Sequence, residues 1–166
     1  MSTPTARRRD IRRLAMQVLY QIDATGVADA EALHADLDDE HGKPAVRDAA
    51  VELALAAWQH RAGADARVAA LAPDWPTHRQ PPIDRAILRL AVHDMTTGRS
   101  PAKVAINEAV ELAKQFSHEN APSFINGVLD KLHRQLPAPP PQDAVTPAPQ
   151  NQADPDAWLT DAKTDS

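Results

Sequence analysis

Phe124-Ile125-Asn126-Gly127-Val128-Leu129-Asp130-Lys131 is the stretch on which the fold turns. Asn-Gly flanked by alternating apolar residues would be a strong hairpin signal. Here Phe124, Ile125, Val128, Leu129 and Leu132 keep helical spacing straight through the dipeptide, so the segment reads as a helix from near Pro122 to Leu136, with Asn120 as candidate cap. A glycine inside a helix costs about 1 kcal/mol relative to alanine. Close approach of a neighbouring helix backbone at Gly127 is the expected compensation. The rest of the chain agrees, because 6 aromatic residues and 5 Gly are too few for a small all-β sandwich or barrel.

Working back from this segment, Ser100-Pro101 reads as an N-cap and first-turn pair that opens a helix to about Phe116. Ala105, Ala109, Leu112, Ala113 and Phe116 form one stripe there and Ile106 and Val110 begin a second, so this helix is expected to be largely enclosed. From Pro82, the residues Ile83, Ile87, Leu90 and Ala91, with Leu88 and Val92 beside them, make a face broad enough for a central helix packed on more than one side. The middle third is plainer. Val27 to Leu37 is a short helical pattern, residues 45–62 a longer one broken at Gly63, and a further helical segment reaches Leu71 before Pro73 and Pro76. The first helix begins at Thr3-Pro4 and runs to about Thr25 before Gly26. Its stripe of Ile11, Leu14, Ala15, Val18, Leu19 and Ile22 faces a core. At about 100° per residue, Arg9, Arg13, Met16 and Tyr20 fall on the opposite side, with Arg12 on the flank and Arg7 and Arg8 one turn earlier.

Composition removes several classes of function. With no Cys, disulfide frameworks, thiolate metal sites and cysteine nucleophiles are excluded. No apolar run approaches the length of a membrane span. The 166 residues suit one domain with a tail, able to bury a core without staples. The net charge of −5 hides an asymmetry: residues 1–13 carry five Arg against one Asp, and residues 137–166 five Asp against one Lys. The latter stretch also holds seven Pro and few branched aliphatic residues, and it reads as a disordered tail in which Trp158-Leu159 is at most a docking motif.

Enzyme signatures are missing from the pattern. Gly26, Gly42, Gly63, Gly98 and Gly127 are not spaced for a phosphate loop or a dinucleotide turn. No two of the seven His stand three or four residues apart, as a metal site on one helix face requires. His93 reads as a core histidine bonded to backbone rather than a proton shuttle, and Asp36 to Glu40 as a solvated helix end rather than a calcium loop. No catalytic residue, metal or cofactor is expected. The N-terminal basic helix remains. Asp10 and Asp23 count against an organelle presequence, and polar residues interrupt any secretory signal. A solubilising end and a nucleic-acid grip both fit the residues. Clustered guanidinium groups suit phosphate oxygens, since they offer planar pairs of donors and stay charged. Tyr20 and Phe124 are candidates for stacking on unpaired bases, against packing on a protein partner and completing the core respectively.

Two segments resemble the NusB family of bacterial transcription antitermination factors. One is Arg7-Arg8-Arg9 followed by Ala15-Met16-Gln17-Val18-Leu19-Tyr20. The other runs from Ile83-Asp84-Arg85-Ala86-Ile87-Leu88-Arg89 through Lys103-Val104-Ala105-Ile106-Asn107-Glu108-Ala109 and Glu111-Leu112-Ala113-Lys114 to the opening octapeptide. The resemblance implies an all-α fold of about seven helices in two packed subbundles, over residues 1–136, followed by the acidic Pro-rich tail. It implies no enzymatic activity and a cytoplasmic location. NusB proteins pair with NusE, a protein of the small ribosomal subunit, and bind the single-stranded boxA element of nascent RNA, notably on ribosomal RNA operons, within the elongating RNA polymerase complex with other Nus factors. By position, Arg7, Arg8, Arg9, Arg12 and Arg13 match the family's arginine-rich RNA-binding motif. Asn120 and Phe124 match positions beside the RNA path, with Lys114 near in sequence, and Tyr20 and Asp84 match positions of NusE contact. Asp84 otherwise reads as a first-turn acid favoured by the helix dipole. The competing reading is a helical protein-interaction module, such as a homodimer whose interface masks the arginine face.

Overall fold

A computed structural model describes residues 3–137. The expected tail, with Trp158 and Leu159, lies outside the described residues apart from Pro137. Seven α-helices follow one another: α1 Pro4–Thr25, α2 Ala30–Ala35, α3 Pro44–Gln59, α4 Arg61–Leu71, α5 Pro82–Thr96, α6 Ala102–Phe116 and α7 Ala121–Gln135. Short 3-10 turns occupy Asp39–His41 and Thr77–Arg79. Among the described residues there is no strand, and no helix is long and apolar enough to cross a membrane.

The first helix ends where its sequence says it must. Thr3 accepts a hydrogen bond from the Ala6 backbone N–H at 3.2 Å, Pro4 occupies the first turn, and Gly26 closes the helix at φ 73°, a left-handed conformation favourable to glycine. Elsewhere the boundaries moved. The break between α3 and α4 falls at His60, and Gly63 lies inside α4 because that helix has just restarted there. Ser100 does not cap α6: Pro101 takes the cap position, and the Ser100 hydroxyl accepts from Arg12 instead.

Helices α1–α3 form one subbundle and α4–α7 the other. The central helix α5 belongs to both, packing on α1, α3, α4, α6 and α7. That explains its broad apolar face: from Ala86 to Met95 every residue is buried. A single continuous core results, in which Met16, Leu19, Ile22, Ile87, Leu90, Ile125, Leu129 and Leu132 are almost fully enclosed. Met16, expected on the outer side of α1, is wholly buried, because α1 packs against both α3 and α5 and so buries a wider arc than one stripe. Gly127 has no close neighbour. Nothing lies within 4 Å of where its Cβ would stand, so the anticipated helix approach is not what the glycine accommodates.

Charged residues also cross the core boundary. Arg89 of α5 forms a bidentate pair with Asp65 of α4 at 2.9 and 2.8 Å and approaches Asp23 of α1 at 3.5 Å. Arg85 donates to Asp23 at 2.7 Å. These pairs tie the end of α1 and the body of α4 to the same helix. His93 is buried but not bonded to backbone as expected: its ring stacks on His60 at 5.4 Å and its Nδ1 has no hydrogen-bond partner.

Candidate nucleic-acid interface

The arginines of α1 separate into two groups once the helix is docked. Arg7, Arg8, Arg9 and Arg13 remain exposed. Among the described residues Arg7 and Arg8 have no carboxylate partner, while Arg9 Nε stands 3.0 Å from Glu108 Oε1 on α6 and Arg13 Nη2 3.3 Å from Asp10 Oδ1. The Arg13–Asp10 pair is solvated on both sides, at 50% and 44% exposed, whereas Arg9 is 63% exposed but its partner Glu108 only 14%. An exposed pair contributes about 0 to 1 kcal/mol, so a phosphate can displace the Arg13 pair at little cost.

Arg7 and Arg13 open onto a cleft of about 850 Å³ between α1, the start of α3 and the end of α6. Gln17, Lys43 and Phe116 line it too, with Asp10 and Glu40 on the acidic side. Lys43 and Phe116 were missed by the sequence reading. Phe116 counted as the last member of a buried stripe, yet it is 37% exposed, because it is the final residue of α6 and overhangs the core. Its place at the end of the periodic run, directly before Ser117, was the available signal.

Arg12 is the correction in this motif. Its side chain is 10% exposed; Nε donates to Asp94 Oδ2 at 2.9 Å, and the guanidinium also donates to the Ser100 hydroxyl. Arg99 lies 3.6 Å from the other oxygen of Asp94. A guanidinium enclosed and committed in this way is not presented to a phosphate. The reason is the same wide buried arc that encloses Met16: position 12 lies on the flank of the stripe, and packing on α5 covers that flank.

On the other side of α6, Lys114 is exposed and pairs with Glu111 at 3.2 Å. Asn120 stands at the start of α7; its side chain makes no capping bond, so its amide is available to a ligand. Phe124 is half-buried and meets Trp75 edge-on, with ring centroids 6.4 Å apart at 68°. Tyr20 is 42% exposed on α1. Asp84 is a second correction: it is 1% exposed, accepts from the Ser117 hydroxyl and has His118 Nε2 at 3.4 Å. The carboxylate stands in the first turn of α5, as its position in the sequence implies, but it fastens the α6–α7 turn onto that helix and is not exposed for contact with a protein partner. Among the described residues no group of three or more His, Asp or Glu is placed to hold a metal ion.

The profile of the NusB family matches residues 9–134. The transcription antitermination protein NusB of Solibacter usitatus is 41% identical over 136 residues, spanning 81% of this chain and 93% of its own. Among solved structures, NusB of T. maritima superposes with a TM-score of 0.69 at 28% identity, over 81% of this chain and 94% of its own. A structure of the antitermination factors NusB and NusE with double-stranded RNA matches at TM-score 0.68 and 24% identity, over 78% of this chain and 98% of the other. Seven helices in this order, an arginine-bearing first helix docked on a central α5 and this breadth of similarity lead to one conclusion: the chain belongs to the NusB family and is a transcription antitermination factor.

Proposed function

We propose that the protein is a non-catalytic RNA-binding adaptor that holds the single-stranded boxA element of nascent transcripts, notably those of ribosomal RNA operons, together with NusE and within the elongating polymerase complex. The observation that carries this is the pair Arg7 and Arg8, exposed and without carboxylate partners among the described residues, beside a cleft that Arg13 and Lys43 share. Arg9, Lys114, Asn120 and Phe124 extend the contact. Tyr20, exposed on the same helix, is the NusE-facing residue of this reading. Arg12 and Asp84 contribute by position rather than by contact, one fixing α1 and the other the α6–α7 turn.

Free, flexible guanidinium groups bind phosphate by charge, so affinity must fall with salt. Three or four neutralised phosphates give a slope of log affinity on log salt of about −2 to −3 for single-stranded RNA. The test is a titration of boxA RNA at several salt concentrations, with and without NusE. Binding that ignores salt, or no binding in the presence of NusE, sinks the proposal.

A further inference from the structure

A separate cleft, of about 350 Å³, lies between the start of α4 and the second half of α5, and no residue of α1 lines it. His60, Gly63, Ala64 and Arg67 form one wall and Arg89, Val92, His93 and Thr96 the other, each set following the i, i+3, i+4, i+7 spacing of a single helix face. We infer that this cleft is a site for a small phosphate-class oxyanion, held by the imidazoles of His60 and His93, the Arg67 guanidinium and the first-turn N–H groups of α4. The inference is independent of the RNA-binding reading above and uses none of its residues.

His93 is the observation that points to a ligand. The residue is only 8% exposed, yet its ring makes no hydrogen bond among the described residues, and Nδ1 is sealed from solvent. A buried polar ring without a partner is rare and calls for an ion or a water at the nitrogen that can still be reached. That nitrogen is Nε2, because His93 lines the cleft and only Nδ1 is enclosed. His60 stacks on the same ring, with centroids 5.4 Å apart and planes at 16°, so two imidazoles share one opening. Both can carry a proton at little cost only when an anion offsets the second charge.

The helix end adds donors. α4 has 11 residues and begins without a side-chain cap, which leaves its first-turn N–H groups free at the positive end of the helix dipole. Its cap residue His60 and its third residue Gly63 both line the cleft. Nothing lies within 4 Å of where a Gly63 Cβ would stand, so an anion can come up to the backbone there. The balance of charge agrees. Arg67 is exposed and has no carboxylate partner among the described residues, and Arg61 spends its guanidinium on the Trp58 ring, 4.0 Å away, and on Trp58 O. Asp65, the one acid of α4, is taken by Arg89. The hydroxyls of Thr96 and Thr97 donate back to Val92 O and His93 O, so nitrogen donors define the site.

Shape and charge choose the occupant. A divalent metal would find two imidazoles but no free carboxylate, with Arg67 beside them. A carboxylate presents two oxygens in one plane, whereas these donors converge from α5, from the body of α4 and from its first turn; a phosphate spreads three acceptor oxygens over such directions. The volume is at the small end for ligand sites and suits inorganic phosphate or a small phosphomonoester, while a nucleic-acid strand needs a continuous groove.

The pH dependence follows from the surroundings of His93. Asp94, Arg89 and Arg99 face it from α5 and the turn beyond, with Arg12 of α1 holding Asp94 from behind. From the other wall come His60, Arg67 and the Asp65 that neutralises Arg89. Of these groups only the two imidazoles titrate near neutral pH, so an anion in the cleft should raise both of their apparent pKa values.

The test is a titration of the full chain, with ¹⁵N-labelled imidazoles, by inorganic phosphate against chloride at matched ionic strength. His60 and His93 should shift saturably and titrate at higher pH in phosphate, while His34 and His41, already beside Asp48 and Asp38, should not respond. Arg67→Gln should weaken phosphate binding about tenfold or more, as loss of a charge-assisted contact requires. Gly63→Leu adds a side chain into open space on a helix, so it should abolish the shifts and leave the circular dichroism spectrum unchanged. A nucleoside monophosphate titrated in parallel separates the sources: tighter binding than inorganic phosphate identifies a carried phosphate, equal or weaker binding the free ion. No saturable shift at His60 and His93, or the same shift in Gly63→Leu, overturns the inference. So does an Arg67→Gln protein whose RNA salt slope is shallower by about 0.7, since that would make the cleft part of the RNA surface.

Discussion

Replacing Arg12 by alanine should damage the fold far more than the RNA grip, and the structure sets the size of the effect. Arg12 is enclosed against Asp94, whose side chain is 1% exposed, and its Nε donates to Asp94 Oδ2 at 2.9 Å. Removing the guanidinium leaves a buried carboxylate with only Arg99, 3.6 Å away and itself 41% exposed, to balance it. Breaking a buried pair from one side costs about 3 to 5 kcal/mol, because the remaining charge is stranded. A loss of that size is a large part of the stability of a small domain and lowers its thermal midpoint by about 10 to 20 °C. Urea unfolding followed by circular dichroism measures it directly. The double variant Arg12→Met/Asp94→Leu should recover most of the loss, since it removes both charges and keeps apolar volume. RNA titrations of Arg12→Ala, made at a temperature where it is folded, should keep the wild-type salt slope. An Arg12→Ala protein as stable as wild type, with a slope shallower by about 0.7, would show that the side chain meets phosphate after all.

Arg7→Ala/Arg8→Ala should do the reverse: stability unchanged within about 0.5 kcal/mol, and a salt slope shallower by about 1.4, as two lost phosphate contacts require. Tyr20→Ala should weaken NusE binding about tenfold, in keeping with loss of an exposed aromatic anchor, and leave RNA binding by the isolated chain unchanged; calorimetry of both titrations checks this. Burial pushes the His93 imidazole below its ordinary value of 6.5, with the Asp94 charge opposing and His60 and Arg99 reinforcing. The unfolded chain therefore takes up a proton that the folded chain resists, so stability is intact above about pH 6.5 and falls on acidification. Urea midpoints at pH 7.5 and 5.5 should drop less for His93→Gln than for wild type, and equal drops would exclude His93 as the source.

Much of this architecture was legible in the residues because helices announce themselves locally. Thr3-Pro4 and Gly26 bracket α1 as caps must, and the apolar run of Phe124, Ile125, Val128 and Leu129 overrode the Asn-Gly signal at 126–127. Periodicity could not reveal how wide an arc packing would bury. One stripe on α1 put Met16 outside and Arg12 on the flank, whereas two neighbouring helices enclose both. Long-range partners were hidden for a similar reason. Nothing near Asp84 in sequence identifies Ser117 and His118 as its partners, and nothing near Phe124 identifies Trp75. The break at His60 rather than Gly63 reflects how poorly a single glycine predicts a helix end when the chain on both sides is rich in alanine. The cluster of arginines itself was visible because all five lie within residues 7–13, and only their division into exposed and committed groups needed the fold.

The ion pairs between α1 and α5 act together as a caliper. Arg12, near the middle of α1, engages Asp94 near the end of α5, and Asp23 near the end of α1 engages Arg85 near the start of α5, so the helices run antiparallel and are pinned at two points. Sliding by one turn, about 5.4 Å, would release both pins at once. Asp84 seats the α6–α7 turn on the same α5, next to Arg85. The distance from the arginines of α1 to the start of α7 is thereby set by the length of one helix.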